Sequence, residues 1–228
     1  PGFVSGSTGS IFGVNITEGI DGAVLAPFDP SNGFPTLFRG VRVTVGGIVA
    51  PILSLANVNG QEQINIQVPF GIPQGVVTVV VENNGTQSSI DGIPVFDEQP
   101  GVFEFFSGAQ RLAAVLHADF SVVTPSNPAR PGEVLLLFVT GMGRLTPPVP
   151  TNQVGPVNPL ANTVNTPTVT LNGVEQAVLA SVYAPQLVTV YQINFRLAAN
   201  TQPGLMRLVV TADGAPSQEA FIPVGGAF

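Results

Sequence analysis

The chain has 228 residues, of which 44% are hydrophobic and 9% charged, and its 14 acids against seven Arg leave a net charge of −7. Charged residues usually make up roughly 25% of a soluble domain. The acidic balance excludes the basic footprint that nucleic acid requires. The absence of Lys and Cys excludes Schiff-base chemistry, Lys isopeptide cross-links, disulfides, thiolate metal sites and a cysteine nucleophile.

With 26 Gly and 22 Pro punctuating Val-rich runs, the composition reads as all-β and not as disorder, which needs low hydrophobicity and high net charge. No apolar run approaches the roughly 18 residues of a membrane helix, so no membrane span is expected. The chain opens at Pro1 with neither an initiator Met nor a basic and apolar leader, which suggests a processed mature chain or a trimmed one.

In chain order, residues 1–8 precede Gly9-Ser10-Ile11-Phe12-Gly13, and residues 18–35, rich in Gly, Pro, Asp and Asn, read as a loop. Alternation of apolar and polar residues then predicts strands over 41–45, 63–68 and 77–81. Residues 102–117 read as a hairpin about Ser107-Gly108-Ala109, and residues 124–132 lead into a strand over 133–140. Residues 146–167 are too rich in Pro for a central strand and read as a long surface loop. Strands follow over 168–171, 192–197 and 205–211, several of them separated by Asn-Gly or Asp-Gly pairs that favour tight hairpin turns.

The same plan is used twice. Gln63-Ile64-Asn65-Ile66-Gln67-Val68 returns as Gln192-Ile193-Asn194-Phe195-Arg196-Leu197, an offset of 129 residues (192 − 63), and Asn84-Gly85 returns as Asp213-Gly214 at the same offset. Gly46-Gly47 matches Asn172-Gly173 at 126 (172 − 46), so the second copy carries a short insertion before the repeated strand. Many short strands at this spacing point to two tandem immunoglobulin-like β-sandwich domains of about 100 residues. Their expected extents are residues 1–97 and 98–228, with the hairpin opening the second domain. The first has no equivalent hairpin, so it reads as short of an opening strand, and an unpaired apolar edge invites another strand.

Gly9-Ser10-Ile11-Phe12-Gly13, Gln63-Ile64-Asn65-Ile66-Gln67-Val68-Pro69, Pro100-Gly101-Val102-Phe103, Ala129-Arg130-Pro131-Gly132-Glu133, Thr140-Gly141-Met142-Gly143 and Tyr191-Gln192-Ile193-Asn194 carry a resemblance over nearly the whole chain. Together they resemble the Solibacter-type C-terminal domain, an uncharacterised tandem module at the ends of large exported acidobacterial proteins. The resemblance implies extracellular sandwiches related to the IPT/TIG type and no catalytic residues. The shortened start and the lack of a large attached domain depart from that pattern.

Candidate chemistry is thin. His117 is the only histidine, and strand alternation would put Asp119 on its face, but no nucleophile or third ligand accompanies the dyad. Ser5, Ser7 and Ser10 lie in a Gly-rich start without a G-x-S-x-G spacing. Asp21, Asp29, Asp91, Asp97 and Glu98 could supply oxygen ligands, yet Asp29-Pro30-Ser31-Asn32-Gly33 fails the calcium-loop pattern and reads as an Asx-stabilised turn. The repeated Gln-Ile-Asn reads as a core face of Ile64, Ile66 and Val68 backed by an outward polar face. Asn15-Ile16-Thr17 and Asn84-Gly85-Thr86 match the glycosylation sequon, a pattern frequent by chance.

The expectation is therefore a non-enzymatic exported structural protein with no cofactor and no catalytic, cofactor-binding or metal residues. It would self-associate end to end into an extracellular fibre through strand or edge contacts. Candidate assembly strands are Pro1-Gly2-Phe3-Val4 and Glu219-Ala220-Phe221-Ile222-Pro223-Val224, with Phe3, Val4, Phe221, Ile222 and Val224 as the apolar contributors. The alternative is an adhesive or carbohydrate-binding module of a larger exported protein, directed at a cell-surface glycan or protein and using loops 18–35 and 146–167.

Overall fold

The structure, a computed structural model, describes residues 2–225, so Pro1 of the first candidate strand lies outside the described residues. The chain is all-β and forms two immunoglobulin-like sandwiches. The first unit comprises Pro1–Asp97 together with Pro148–Gly155 and Gln186–Thr189, and the second Glu98–Pro147, Pro156–Pro185 and Val190–Phe228.

In the first unit the strands are β1 (Phe3–Val4), β2 (Thr8–Gly13), β3 (Gly22–Leu25), β4 (Val41–Val45), β5 (Ile48–Val49), β6 (Ile52–Val58), β7 (Gln61–Gln67), β8 (Gly75–Asn83) and β9 (Thr86–Phe96). One sheet runs β1-β9-β8-β4-β5 and the other β2-β7-β6-β3. Alternate residues of each sheet meet in an apolar interior of Val41, Val43 and Val45 against Ile52, Leu55, Ile64 and Ile66. The chain passes from one sheet to the other between β5 and β6, where Ala50-Pro51 interrupts the strand. Proline cannot donate to a ladder, so pairing breaks there.

In the second unit come β10 (Gly101–Val102), β11 (Glu104–Ser107), β12 (Gln110–Ala113), β13 (Val115–His117), β14 (Val134–Thr140), β15 (Leu145–Thr146), β16 (Asn162–Thr163), β17 (Thr168–Leu171), β18 (Val174–Tyr183), β19 (Tyr191–Arg196), β20 (Gly204–Ala212), β21 (Ala215–Pro216) and β22 (Ala220–Val224). Its strand order is β10-β14-β19-β18-β17-β20-β21, with β13 also on β14 and β22 also on β20. Here β18 makes the sheet change without a break: its start pairs with β17, its end pairs with β19, and a bulge falls between Val178 and Ala180. A bulge bends a strand and raises its twist, which lets one strand serve both sheets.

The duplication extends to register. Ile11 faces Ile64 as Leu137 faces Ile193. Val43 faces Val81 as Val169 faces Val210. Val77 faces Ile93 as Met206 faces Ile222. Even the parallel pairing of Phe3 with Val95 has its counterpart in a bridge from Ala129 to Val224. The hairpin turns at Asn84, Asn172 and Asp213 take φ of 49, 48 and 46°, the left-handed conformation their sequences favour. What the first unit lacks, among the described residues, is any counterpart of β10 to β13.

Residues 146–167 do not form the expected free surface loop. Val149 and Ala161 are buried, β16 pairs with β15 and β18, and residues 148–155 are built into the first unit. Asn152 is one of the residues that hold the stretch. Its backbone N–H donates to Gln67 Oε1 (2.6 Å), its amide donates to the Phe34 carbonyl (2.8 Å), and its Oδ1 accepts from the Phe34 N–H (2.8 Å). One side chain thus satisfies backbone groups that no sheet reaches.

Candidate functional site

One side of the first sandwich, between β2 and β9, leaves apolar surface open. β2 is the terminal strand of its sheet. Its residues Thr8-Gly9-Ser10-Ile11-Phe12-Gly13 contain no charge and no proline, two of the devices by which sheet edges are usually blunted. Pairing with β7 alternates, and the Val68 N–H donates to the Ser7 carbonyl (2.9 Å), which sets the phase: Ser10 and Phe12 turn their N–H groups away from β7.

Beside this edge lies a groove of about 260 Å³ lined by Gly2, Phe3, Ile11, Val79, Ile90 and Ile93 with Ser10 and Phe12 at the rim. A second recess of about 190 Å³ continues it past Ile16 and Val81. No lining residue of either is charged. Phe12 is 70% exposed and Ile90 55% exposed, large apolar surfaces left in water at a sheet edge. The corresponding side of the second unit is sealed: Leu137, Leu208, Ala220 and Ile222 are at most 1% exposed. The seal is made by a segment with no counterpart among the described residues of the first unit. β13 pairs along β14, while β12, with buried Leu112 and Ala113, packs on β22.

The residues singled out as assembly strands are all held within their own units. Phe3 and Val4 pair in parallel with Val95 and Phe96 and are buried. Phe221, Ile222 and Val224 lie on β22, antiparallel to β20, with Ile222 opposite Met206 and Val224 opposite Gly204.

The groups that could have carried chemistry serve the scaffold. His117 is buried, with Nδ1 3.1 Å from Glu133 Oε2 and Nε2 3.2 Å from the Asn127 carbonyl oxygen. Asp119 does not share its strand face, because β13 ends at His117 and the chain turns. Asp119 instead accepts from the Ser121 hydroxyl (2.6 Å) and N–H (2.9 Å), which hold its carboxyl below the ordinary value. Asp29 caps its own turn, accepting from the N–H groups of Ser31 (2.7 Å) and Asn32 (3.0 Å), and these lower its pKa.

Glu62, which the sequence did not mark, is a buried and closely bonded carboxylate. It accepts from the N–H groups of Thr17 (2.6 Å) and Asn15 (3.0 Å) and from the Thr17 hydroxyl (3.1 Å). Burial alone would raise its pKa, but these donors outweigh it and hold the carboxyl below the ordinary value. Tyr191 is buried, and desolvation, then Tyr183 and Glu98, raise its phenol well above the ordinary value while its hydroxyl donates to the Gly143 carbonyl (2.8 Å).

The repeated Gln-x-Asn makes the same bond in both units: Gln63 Nε2 donates to Asn65 Oδ1 and Gln192 Nε2 to Asn194 Oδ1, each at 2.7 Å. Ile64, Ile66 and Val68 lie in the core. Among the described residues no group of three or more His, Asp or Glu is placed to hold a metal ion, and no helix is long and apolar enough to cross a membrane.

No family model matches the chain, and no curated protein matches it in sequence. Among solved structures it is similar to the Bacteroides ovatus mixed-linkage glucan utilization locus protein SGBP-B, solved with a mixed-linkage heptasaccharide. That alignment has 13% identity over 99% of this chain, 43% of the other, and a TM-score of 0.33. A titin tandem of Ig domains aligns at 11% identity over 82% of this chain and 80% of that one, with a TM-score of 0.26. The tandem Ig repeats of Dlar align at 12% identity over 98% and 92%, with a TM-score of 0.21. The chain spans less than half the length of the first of these.

Proposed function

We propose that the chain is a non-enzymatic structural module of the cell exterior that works by protein contact along the open β2 edge of its first unit, joining copies end to end. One observation carries this reading: an uncharged, unblunted edge strand stands beside an apolar groove on one sandwich, while the same side of the other is closed. Strand addition there would use backbone hydrogen bonds for affinity and the groove for side-chain selection. A contact between an edge on one copy and a different surface on the next is heterologous, and such contacts extend without closing unless rotation brings them into a ring. The scaffold roles of His117, Asp119 and Glu62 support a function without catalysis, since a fold acquires activity only through a site. Sedimentation velocity and negative-stain microscopy of the intact chain test the reading. Concentration-dependent, open-ended species are expected, and monomers alone at all concentrations would reject assembly.

A second reading, a glycan-binding module, is favoured by a shallow cleft of about 420 Å³ in loop 18–35, lined by Phe28, Asp29, Asn32 and Phe34. Phe28 and Phe34 meet edge to face at 5.0 Å, and Phe28 is 40% exposed. An aromatic face beside Asp and Asn is the chemistry that stacks on and hydrogen-bonds a sugar ring. A glycan array that loses its signal with Phe28→Ala would support it, and an array without signal would remove it.

A further inference from the structure

The cleft of loop 18–35 carries a selection rule in its charge. We infer that it binds neutral pyranose glycans and rejects acidic ones, with Phe28 as the stacking platform and Asp29 as the residue that sets the choice. This rests on the glycan-binding reading above and names the class of sugar.

The loop is tied down from several sides. Asp29 and Gly33 exchange backbone bonds, the Asp29 N–H donating to the Gly33 carbonyl (3.0 Å) and the Gly33 N–H to the Asp29 carbonyl (2.7 Å), which closes a tight turn. The Asn152 amide donates to the carbonyls of Asn32 (3.1 Å) and Phe34 (2.8 Å), and its Oδ1 accepts from the Phe34 N–H (2.8 Å). Only glycine fits against that side chain: Gly33 has a φ of 77°, and a Cβ there would lie 2.4 Å from Asn152 Cγ. Phe34, fixed in this way, meets Phe28 edge to face at 5.0 Å and supports an exposed ring at the cleft wall. A platform already ordered in the free protein binds without the entropy of ordering it.

Asp29 decides what the cleft can take. Both backbone bonds to its carboxylate fall on Oδ1, which leaves acceptor capacity on Oδ2, and an ionised carboxylate donates nothing. The same two N–H groups hold the carboxyl below its ordinary value, so it is charged at neutral pH. Asn32, exposed like Asp29, lines the same cleft. The ligand must therefore bring hydrogen-bond donors beside an apolar face. A pyranose ring has both: its C–H face lies on Phe28 while its hydroxyls donate to Asp29 and bond to Asn32. A proline-rich peptide has the apolar face but few donors. Acid groups on a sugar meet no counter-charge, because Asp29 is the only ionisable residue of the lining and residues 18–35 contain Glu18, Asp21 and Asp29 without an Arg. A uronate or sulfate there stands beside a like charge, and at this short range salt screens the repulsion only in part.

The test is calorimetric titration of the intact chain with neutral hexasaccharides (cellohexaose, laminarihexaose and maltohexaose), each beside the same sugar with its C6 hydroxymethyl groups oxidised to carboxylates, and with a proline-rich peptide. Saturable binding of at least one neutral sugar is expected, with its oxidised form at least tenfold weaker. Asp29→Asn keeps a side chain that can cap the turn and removes the charge. It is expected to weaken the neutral sugar at least fivefold, to narrow the gap between neutral and oxidised forms to less than threefold, and to leave the melting profile unchanged. Phe28→Ala trims an exposed ring and should abolish binding of both forms. Oxidised sugar bound as tightly as neutral, or a gap that survives Asp29→Asn, would overturn the inference and leave the glycan-binding reading standing. Sugar binding indifferent to Phe28→Ala would place the site elsewhere and overturn it as well. No sugar bound at millimolar concentration, with or without binding of the peptide, would remove both the inference and the reading it rests on.

Discussion

Glu62→Gln isolates the interaction that anchors the chain leaving β2. The carboxylate takes three hydrogen bonds from residues 15–17, with Thr17 N–H at 2.6 Å the shortest, and the residue is only 9% exposed. Glutamine keeps one acceptor oxygen, but its amide nitrogen must then face an N–H donor. At least one charge-assisted bond, worth about 1.5–3 kcal/mol, is lost and a buried donor is left unsatisfied at about 1–3 kcal/mol, so a loss of about 2.5–6 kcal/mol is expected at pH 7.

The effect depends on pH in a definite direction. The folded pKa of Glu62 is depressed, so its stabilisation is present above the unfolded value and disappears as pH falls through the folded one. Urea unfolding of wild type and variant should therefore differ most at neutral pH and converge below about pH 4.5, the ordinary value from which Glu62 is lowered. A difference that stays constant from pH 7 to pH 3, or none at pH 7, would refute the argument.

Leu112→Ala removes a side chain with 0% exposure from the segment that seals the second sandwich, and denaturant titration should show a loss of about 2–5 kcal/mol. Asn152→Ala deletes the amide bonded to Phe34 on both its N–H and its carbonyl. A loss of about 1–3 kcal/mol is expected, with amide exchange rising around Phe34. His117→Ala breaks contacts to Glu133 and Asn127 within the scaffold. It should lower the melting temperature and leave assembly unchanged, and lost assembly with intact folding would contradict its scaffold role.

Much of this fold is legible in the residues. Period-two alternation in Val41-Arg42-Val43-Thr44-Val45 places three valines in the core with no exposed area, and Asn172-Gly173 turns where its φ preference says it must. The repeated Gln-Ile-Asn announces two units in one register. Other features depend on distant partners that periodicity does not encode. Residues 146–167 read as a loop because proline forbids a ladder, yet Val149 and Ala161 are buried and the Asn152 side chain satisfies the remote backbone of Phe34. Asp119 shares a sequence alternation with His117, but the strand ends between them and Ser121 captures the carboxylate. Glu62 gave no signal because its partners at 15–17 form no recognisable motif with it. The open edge left a trace: the stretch from Thr8 to Val14 carries no charge and no proline.

End-to-end assembly requires β2 to be a joining edge. Phe12→Pro alters one outward N–H at a position where an edge strand tolerates proline, and leaves the bonds to β7 in place. Sedimentation velocity of the two proteins side by side is the direct measurement. Wild type should form concentration-dependent higher species, and Phe12→Pro, with an unchanged melting profile, should sediment as a monomer. Equal assembly by both would contradict the claim.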